Sequence, residues 1–309
     1  MAGAKIPGDE DSPASEIELE RTLAGRLARR MQRARVLGKR IEAARADHVS
    51  IDVGFDVVER DSVIGGGLLA GALAYRMFVL LLPSALLLIA GLGLYAGTVD
   101  KSTSQVVADA GLHGLIASEV ASAASGRGRG IVFLLALPVV VYATIALYRS
   151  IAKVYGIVWH SSGREARITR RGVAYFAGAL VLQLVAVETV GWIRRHDEFG
   201  GAAALLVYLV LAGGSWLVVS TQLPHRDVRW PGLIPGALLF GAGLLCVNVF
   251  NVYVTTRLLE GREDTYGALG VAAAVLFSLV LVGRLFVLSG ELNASLHERR
   301  SRNETLDPQ

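Results

Sequence analysis

Apolar residues in this chain gather into six long runs, near 62–97, 131–155, 168–192, 200–223, 231–258 and 267–296, separated by polar connections. A helix needs about 20 such residues to cross a hydrocarbon core of about 30 Å, and each run meets that length. From Met77 to Gly97 the first run carries no charge. Taken whole, that run of roughly 36 residues would make a straight helix of about 54 Å. It must therefore tilt, protrude, or kink at Pro83, which removes one backbone donor near its middle. The pattern predicts an all-α polytopic membrane protein, a bundle of six transmembrane helices spanning residues 61–296.

The polar segments add five expectations. Residues 1–15, rich in Gly, Pro, Asp and Ser, read as a disordered tail. Across 16–46, Leu23, Leu27, Ala34, Leu37, Ile41 and Ala44 share one helical face and Arg26, Arg29, Arg33 and Arg40 line another. Two readings stay open for this N-terminal amphipathic helix: it lies on an anionic membrane surface, or it is a solvated helix or coiled coil. Residues 51–60 read as a short interfacial helix, so that 16–60 forms one cytosolic segment. In the long connection 98–130, Val106, Val107, Ala110 and Leu115 predict a surface helix, and 297–309 reads as a cytosolic tail.

Composition agrees with the pattern. Of 309 residues, 53% are hydrophobic and 19% charged, against about 25% charged in soluble domains. The single cysteine, Cys246, lies in an apolar run, which excludes a disulfide within the chain and a cysteine-based zinc site. No apolar h-region opens the chain, so the first span itself is expected to direct insertion. Lysine and arginine are roughly threefold more abundant in one set of alternate connections, the set that includes both termini. Both termini are therefore expected in the cytosol, with Trp159 and Trp230 in one aromatic belt and Tyr95 and Trp192 in the other. Gly67/Gly71, Gly93/Gly97 and Gly232/Gly236 repeat at four residues, a spacing that allows close helix approach.

Catalytic chemistry has no recognisable signature. The six histidines lie in separate segments, none paired at metal-ligand spacing. There is no Gly-x-Ser-x-Gly, no His-Glu-x-x-His, no Walker motif, and no paired carboxylates on one helix face. Catalytic residues, metals and cofactors are therefore expected to be none, and nothing reads as a nucleic-acid interface.

The informative residues are ionisable groups within the apolar range, which are costly there unless paired, snorkelled or hydrated. At about 1.5 Å per residue, Arg76, Arg149, Arg284 and Glu291 fall roughly 31, 27, 25 and 36 Å from the outer ends of their helices. Lys153 lies one turn past Arg149. This shared level has two readings, a common basic pocket for an anionic headgroup or solute, and separate snorkelling to lipid headgroups. Glu291 is the expected partner of Arg76. Gln183 and Glu188, with Asn248, Asn251 and Tyr253, form a second polar level, either as an outer vestibule or as hydrogen bonds between helices.

Several short motifs resemble the YihY/BrkB family of membrane proteins. They are Ala72-Leu-Ala-Tyr-Arg76 with Leu81-Leu-Pro83, Leu223-Pro224, Trp230 with Pro235-Gly-Ala237, Tyr253, Tyr266-Gly-Ala-Leu-Gly270, and Gly290-Glu-Leu-Asn293. The resemblance covers about 55–296 and leaves out the basic N-terminal helix. The family's usual Ser-Leu-x-Pro reads Leu81-Leu82-Pro83-Ser84 here, which moves the expected polar contact past the proline. The resemblance implies a six-helix protein of the bacterial plasma membrane, associated with serum resistance and with export of envelope lipid or solute. It also brings a former ribonuclease label, which the residues do not support.

The sequence thus predicts a transporter-like protein for an anionic lipid or solute. The alternative is a non-transporting scaffold for envelope or division machinery, and an enzyme acting on lipid phosphates comes third. Anionic membrane lipids are the expected partners, with a homo-oligomer or an envelope protein partner left open.

Overall fold

The computed structural model describes residues 49–98, 129–160, 169–196, 200–225, 228–261 and 267–306. The expected tail, the basic amphipathic helix and the surface helix of 98–130 lie outside these residues. The chain divides into two compact units, Met1–Asp56 and Val57–Gln309. Of the first, the described residues are helical.

Seven α-helices are described: α1 (Val49–Ile64), α2 (Gly66–Thr98), α3 (Arg129–Val158), α4 (Arg170–His196), α5 (Gly200–Ser220), α6 (Ile234–Gly261) and α7 (Gly267–Leu306). A 3-10 turn, Trp230–Leu233, leads into α6. Helices α2 to α7 are each long and apolar enough to cross a membrane. No strand occurs among the described residues. The helices pack in chain order, α2 on α3, α4 on α5, α5 on α6, α6 on α7 and α7 back on α2. Contact between α3 and α4 is slight. The end of the bundle where α2 begins and α7 finishes is called the basic end.

The first apolar run is not one helix. It breaks at Gly65, whose φ of +68° is open to glycine at little cost. The Gly65 carbonyl then accepts from Leu68 and Leu69 N–H at 2.9 and 3.2 Å, starting α2. This break shortens the run only slightly: α2, at 33 residues, is still about 50 Å long and exceeds a hydrocarbon core of about 30 Å. Helix α2 continues unbroken through Pro83. At the other end, α7 runs about ten residues past its expected stop at 296, into the segment read as a tail.

Close packing falls on Gly236, as expected, and on glycines outside the expected pairs. Gly67 and Gly71 meet nothing within reach of an added Cβ. Gly283 lies against the Ala70 carbonyl, where a side chain would collide with the α2 backbone. Gly241 lies against the backbone of α5, where an added Cβ would come within 2.9 Å of Gly213 N. These contacts let α7 approach α2, and α6 approach α5, at backbone distance.

The core sits toward the basic end. Leu147, Tyr148, Ile151, Tyr155 and Val158 of α3 are almost fully buried there with Val219 and Val287. Trp159 is buried too, at 2% exposure, beside the His225 and His297 rings at 6.2 and 6.0 Å. It is a core residue, so the expected belt on this side rests on Trp230, which is exposed.

Candidate functional site

Asparagine and serine fasten α7 to its neighbours below the core. Pro235 lacks an N–H and sits at the start of α6, where helix donors have no intrahelical partner. Asn293 fills that gap: its Oδ1 accepts from Gly236 N–H at 2.8 Å, and its Nδ2 donates to the Leu233 carbonyl at 3.3 Å. Gly236 has to be glycine, since a Cβ would overlap Asn293 and the Ser289 carbonyl. Ser289 Oγ donates to the Phe286 carbonyl at 3.0 Å and accepts from Trp216 Nε1 at 3.1 Å, while the Tyr155 hydroxyl pairs with it at 3.0 Å. The Pro-Gly-Ala and Gly-Glu-Leu-Asn motifs are thus two halves of one joint.

Above this joint lies a cavity of about 450 Å³, lined by residues from all six spans. Its aromatic floor is Trp216, stacked on Phe240 at 4.6 Å and meeting Phe286 edge-on at 4.8 Å. Phe176 and Leu147 complete that level, and Met77, Leu80, Ser84 and Ala85 of α2 climb one wall. Across from them stand Ala179, Leu180 and Gln183 of α4. Gln183 Nε2 donates to Ser215 Oγ at 3.1 Å, so these two polar groups are tied to each other.

The cavity is open on one side. Leu81 and Leu88 of α2 and Leu184 of α4 line it, yet they are 40%, 52% and 55% exposed. Helices α2 and α4 face each other across it, and α3 meets α4 at the basic end, where the Tyr148 and Phe176 rings lie 5.8 Å apart. The Tyr148 hydroxyl also donates to the Gln222 carbonyl at 3.2 Å, closing the bundle below the opening. From Met77 to Leu88 the wall rises eleven residues, about 16 Å, roughly half of a hydrocarbon core of about 30 Å.

The ionisable residues singled out from the sequence do not share one environment. Arg76, Arg149 and Lys153 are exposed on the outside of the bundle. Arg76 immediately precedes Met77, and Arg149 lies two residues past Leu147, so both stand at the level of the cavity floor. Arg284 is instead engaged inward, donating to both Asp61 oxygens at 2.7 and 3.0 Å. Gly66 makes room for this pair, since its Cβ would fall on the Asp61 carboxylate. Glu291 is fully buried and accepts no hydrogen bond, so the expected Arg76–Glu291 pair does not form. A second bidentate pair, Arg60 to Glu298 at 3.1 and 2.7 Å, lies beyond it, with Arg60 also 3.0 Å from His160 Nδ1.

The second polar level divides as well. Gln183 faces the cavity, whereas Asn251 Oδ1 accepts from Ser278 Oγ at 2.5 Å, a bond between α6 and α7. Asn248 is half-buried. The side chains of Glu188 and Tyr253 lie outside the described ones. Sequence reasoning missed Asp61, Arg60 and Glu298. The spacing of Arg284, Glu291 and Glu298 at seven residues, one helix face, was the available signal.

Among the described residues, no three His, Cys, Asp or Glu side chains stand together as metal ligands would. The chain is 30% identical over 119 residues to the ribonuclease-like protein YfkH of Bacillus subtilis (strain 168). That match spans 35% of this chain and 42% of the relative, less than half of each. No solved structure matches the chain. The family model described as Virulence factor BrkB matches residues 61–309, which take in all six spans, the Asp61–Arg284 pair and the Asn293 joint. The chain belongs to the Virulence factor BrkB family.

Proposed function

We propose that this membrane protein is transporter-like and handles an anionic, acyl-chain-bearing lipid of the cell envelope. One observation carries the reading: a cavity formed by all six spans, apolar almost throughout, opens sideways between α2 and α4. A water-soluble solute would leave its polar groups unpaired against leucine and phenylalanine, at a cost of a few kcal/mol each. An acyl chain has no such groups, and the wall height of about 16 Å matches the chain region of one leaflet. Exposed Arg76 and Arg149, at the level of the floor, place positive charge where the headgroup of such a lipid would lie. In this reading the basic end faces the cytosol, the membrane is the bacterial plasma membrane, and the lipid comes from the inner leaflet. The scaffold alternative uses residues before 49 and draws no support from the cavity, and catalysis is not part of the proposal.

Native mass spectrometry of the purified full-length chain tests it. A bound phospholipid, anionic in preference to zwitterionic when both are offered, is the expected result. Protein that survives gentle delipidation with no retained lipid, and takes none up from mixed micelles, contradicts the reading.

A further inference from the structure

We propose that the Glu291 carboxyl is a proton-binding site, held beneath a polar clasp that α1 lays across α7. Arg284, Glu291 and Glu298 share one face of α7. The α1 residues Asp61 and Arg60 occupy the first and last of these, each through a bidentate pair. Glu291 is left between them, with zero exposure and with neither oxygen hydrogen-bonded. One turn further along α7, Ser295 Oγ is buried without a partner, as is Arg60 Nε. Glu291 and, one turn along the same helix, Ser295 thus both carry buried polar atoms without partners.

Charge then decides what the region takes. The clasp sets two guanidiniums, Arg60 and Arg284, against three carboxyls, Asp61, Glu291 and Glu298. Each guanidinium already grips a carboxylate other than Glu291, so one positive charge is missing. A metal cation fits poorly, because Glu291 and Ser295 supply too few oxygens for a hard ion and two guanidiniums stand close by. A proton needs one oxygen. Bound there, it makes Glu291 a neutral donor, and Ser295 Oγ or an ordered water can pair with the group.

Other titratable groups around Glu291 are either occupied or turned away. From α3, Tyr155 is bonded to Ser289, and in the turn after it His160 is bonded to Arg60. Tyr75 and Arg76 of α2, Arg149 and Lys153 of α3, and Cys246 of α6 are exposed, and His297 of α7 lies against Trp159. The clasp reaches water at one end, where the Glu298 side chain is 40% exposed.

Infrared difference spectroscopy of the full-length protein in nanodiscs, between about pH 5 and pH 9, reads this directly. A protonated-carboxyl band that shifts with isotope-labelled glutamate, fades as pH rises and is missing from Glu291→Gln is the expected result. Wild-type protein with no glutamate-derived protonated band at any pH in that range overturns the proposal. So does a band that persists in Glu291→Gln. Should that variant fail to insert, Ser295→Ala answers the same question: a shifted glutamate band supports the site, and an unmoved one overturns it.

Discussion

Ala179→Trp is expected to lower the retention of copurified lipid about tenfold or more while the bundle keeps its stability. Ala179 lies on the α4 wall of the cavity and is half-buried, so an indole at that position projects into space bounded by apolar side chains. Dispersion contacts between a chain and the cavity wall are individually small, but losing about 1.4 kcal/mol of them is enough for tenfold. The indole meets leucine and phenylalanine, and any overpacking is limited by a volume of about 450 Å³. Native mass spectrometry gives the occupancy, and thermal unfolding in micelles gives the stability. Undiminished lipid in a stably folded variant would mean that the lipid binds elsewhere on the surface.

Arg284→Leu should cause the larger loss of stability, about 2–3 kcal/mol. Removing one partner of a buried ion pair typically costs about 3–5 kcal/mol, because the remaining charge is left without compensation. The estimate is reduced here because the Arg284 and Asp61 side chains keep 31% and 19% exposure, and partial solvation weakens the penalty. Asp61→Leu combined with Arg284→Leu should recover more than half of the loss, since neither charge then lacks a partner. Reversible unfolding of both single variants and the double variant measures the coupling. Strict additivity would show that the pair carries no joint energy.

The sequence revealed the spans more fully than their contacts. Six helices were legible because a run of about 20 uncharged apolar residues has few other solutions. The break at Gly65 was not, because hydropathy is continuous through Ile64-Gly-Gly-Gly-Leu68 and only the backbone turn separates α1 from α2. That turn also hid the partner of Arg284. Asp61 lies before the first span in sequence, and the chain has to fold back at Gly65 to present it to α7. Depth estimates set Arg76, Arg149 and Arg284 near one level, but depth along a helix says nothing of rotation about its axis. Rotation is what divides them, with Arg284 turned inward and the other two exposed. The cavity was least legible of all. It depends on α2 and α4 standing apart above the Tyr148–Phe176 contact, a property of helix arrangement that no single apolar stripe encodes.

Pro83 gains a position from this arrangement. It lies between Leu81 and Ser84, both lining the cavity, on a helix that stays continuous. The missing donor leaves one α2 carbonyl, four residues earlier, without its usual partner. Ser84, the polar residue that follows the proline, lines the cavity.

Photolabelling with a phospholipid that bears a diazirine along its acyl chain tests most directly whether the cavity holds a lipid chain. Labelled protein, reconstituted in bilayers, is digested and the modified residues are read by mass spectrometry. Label concentrated on Met77, Leu80, Ala85, Ala179 and Leu180, and depleted there in Ala179→Trp, is the predicted result. Label spread over outward residues such as Leu68, Leu134 and Val210, with the cavity wall no more modified than these, would contradict it.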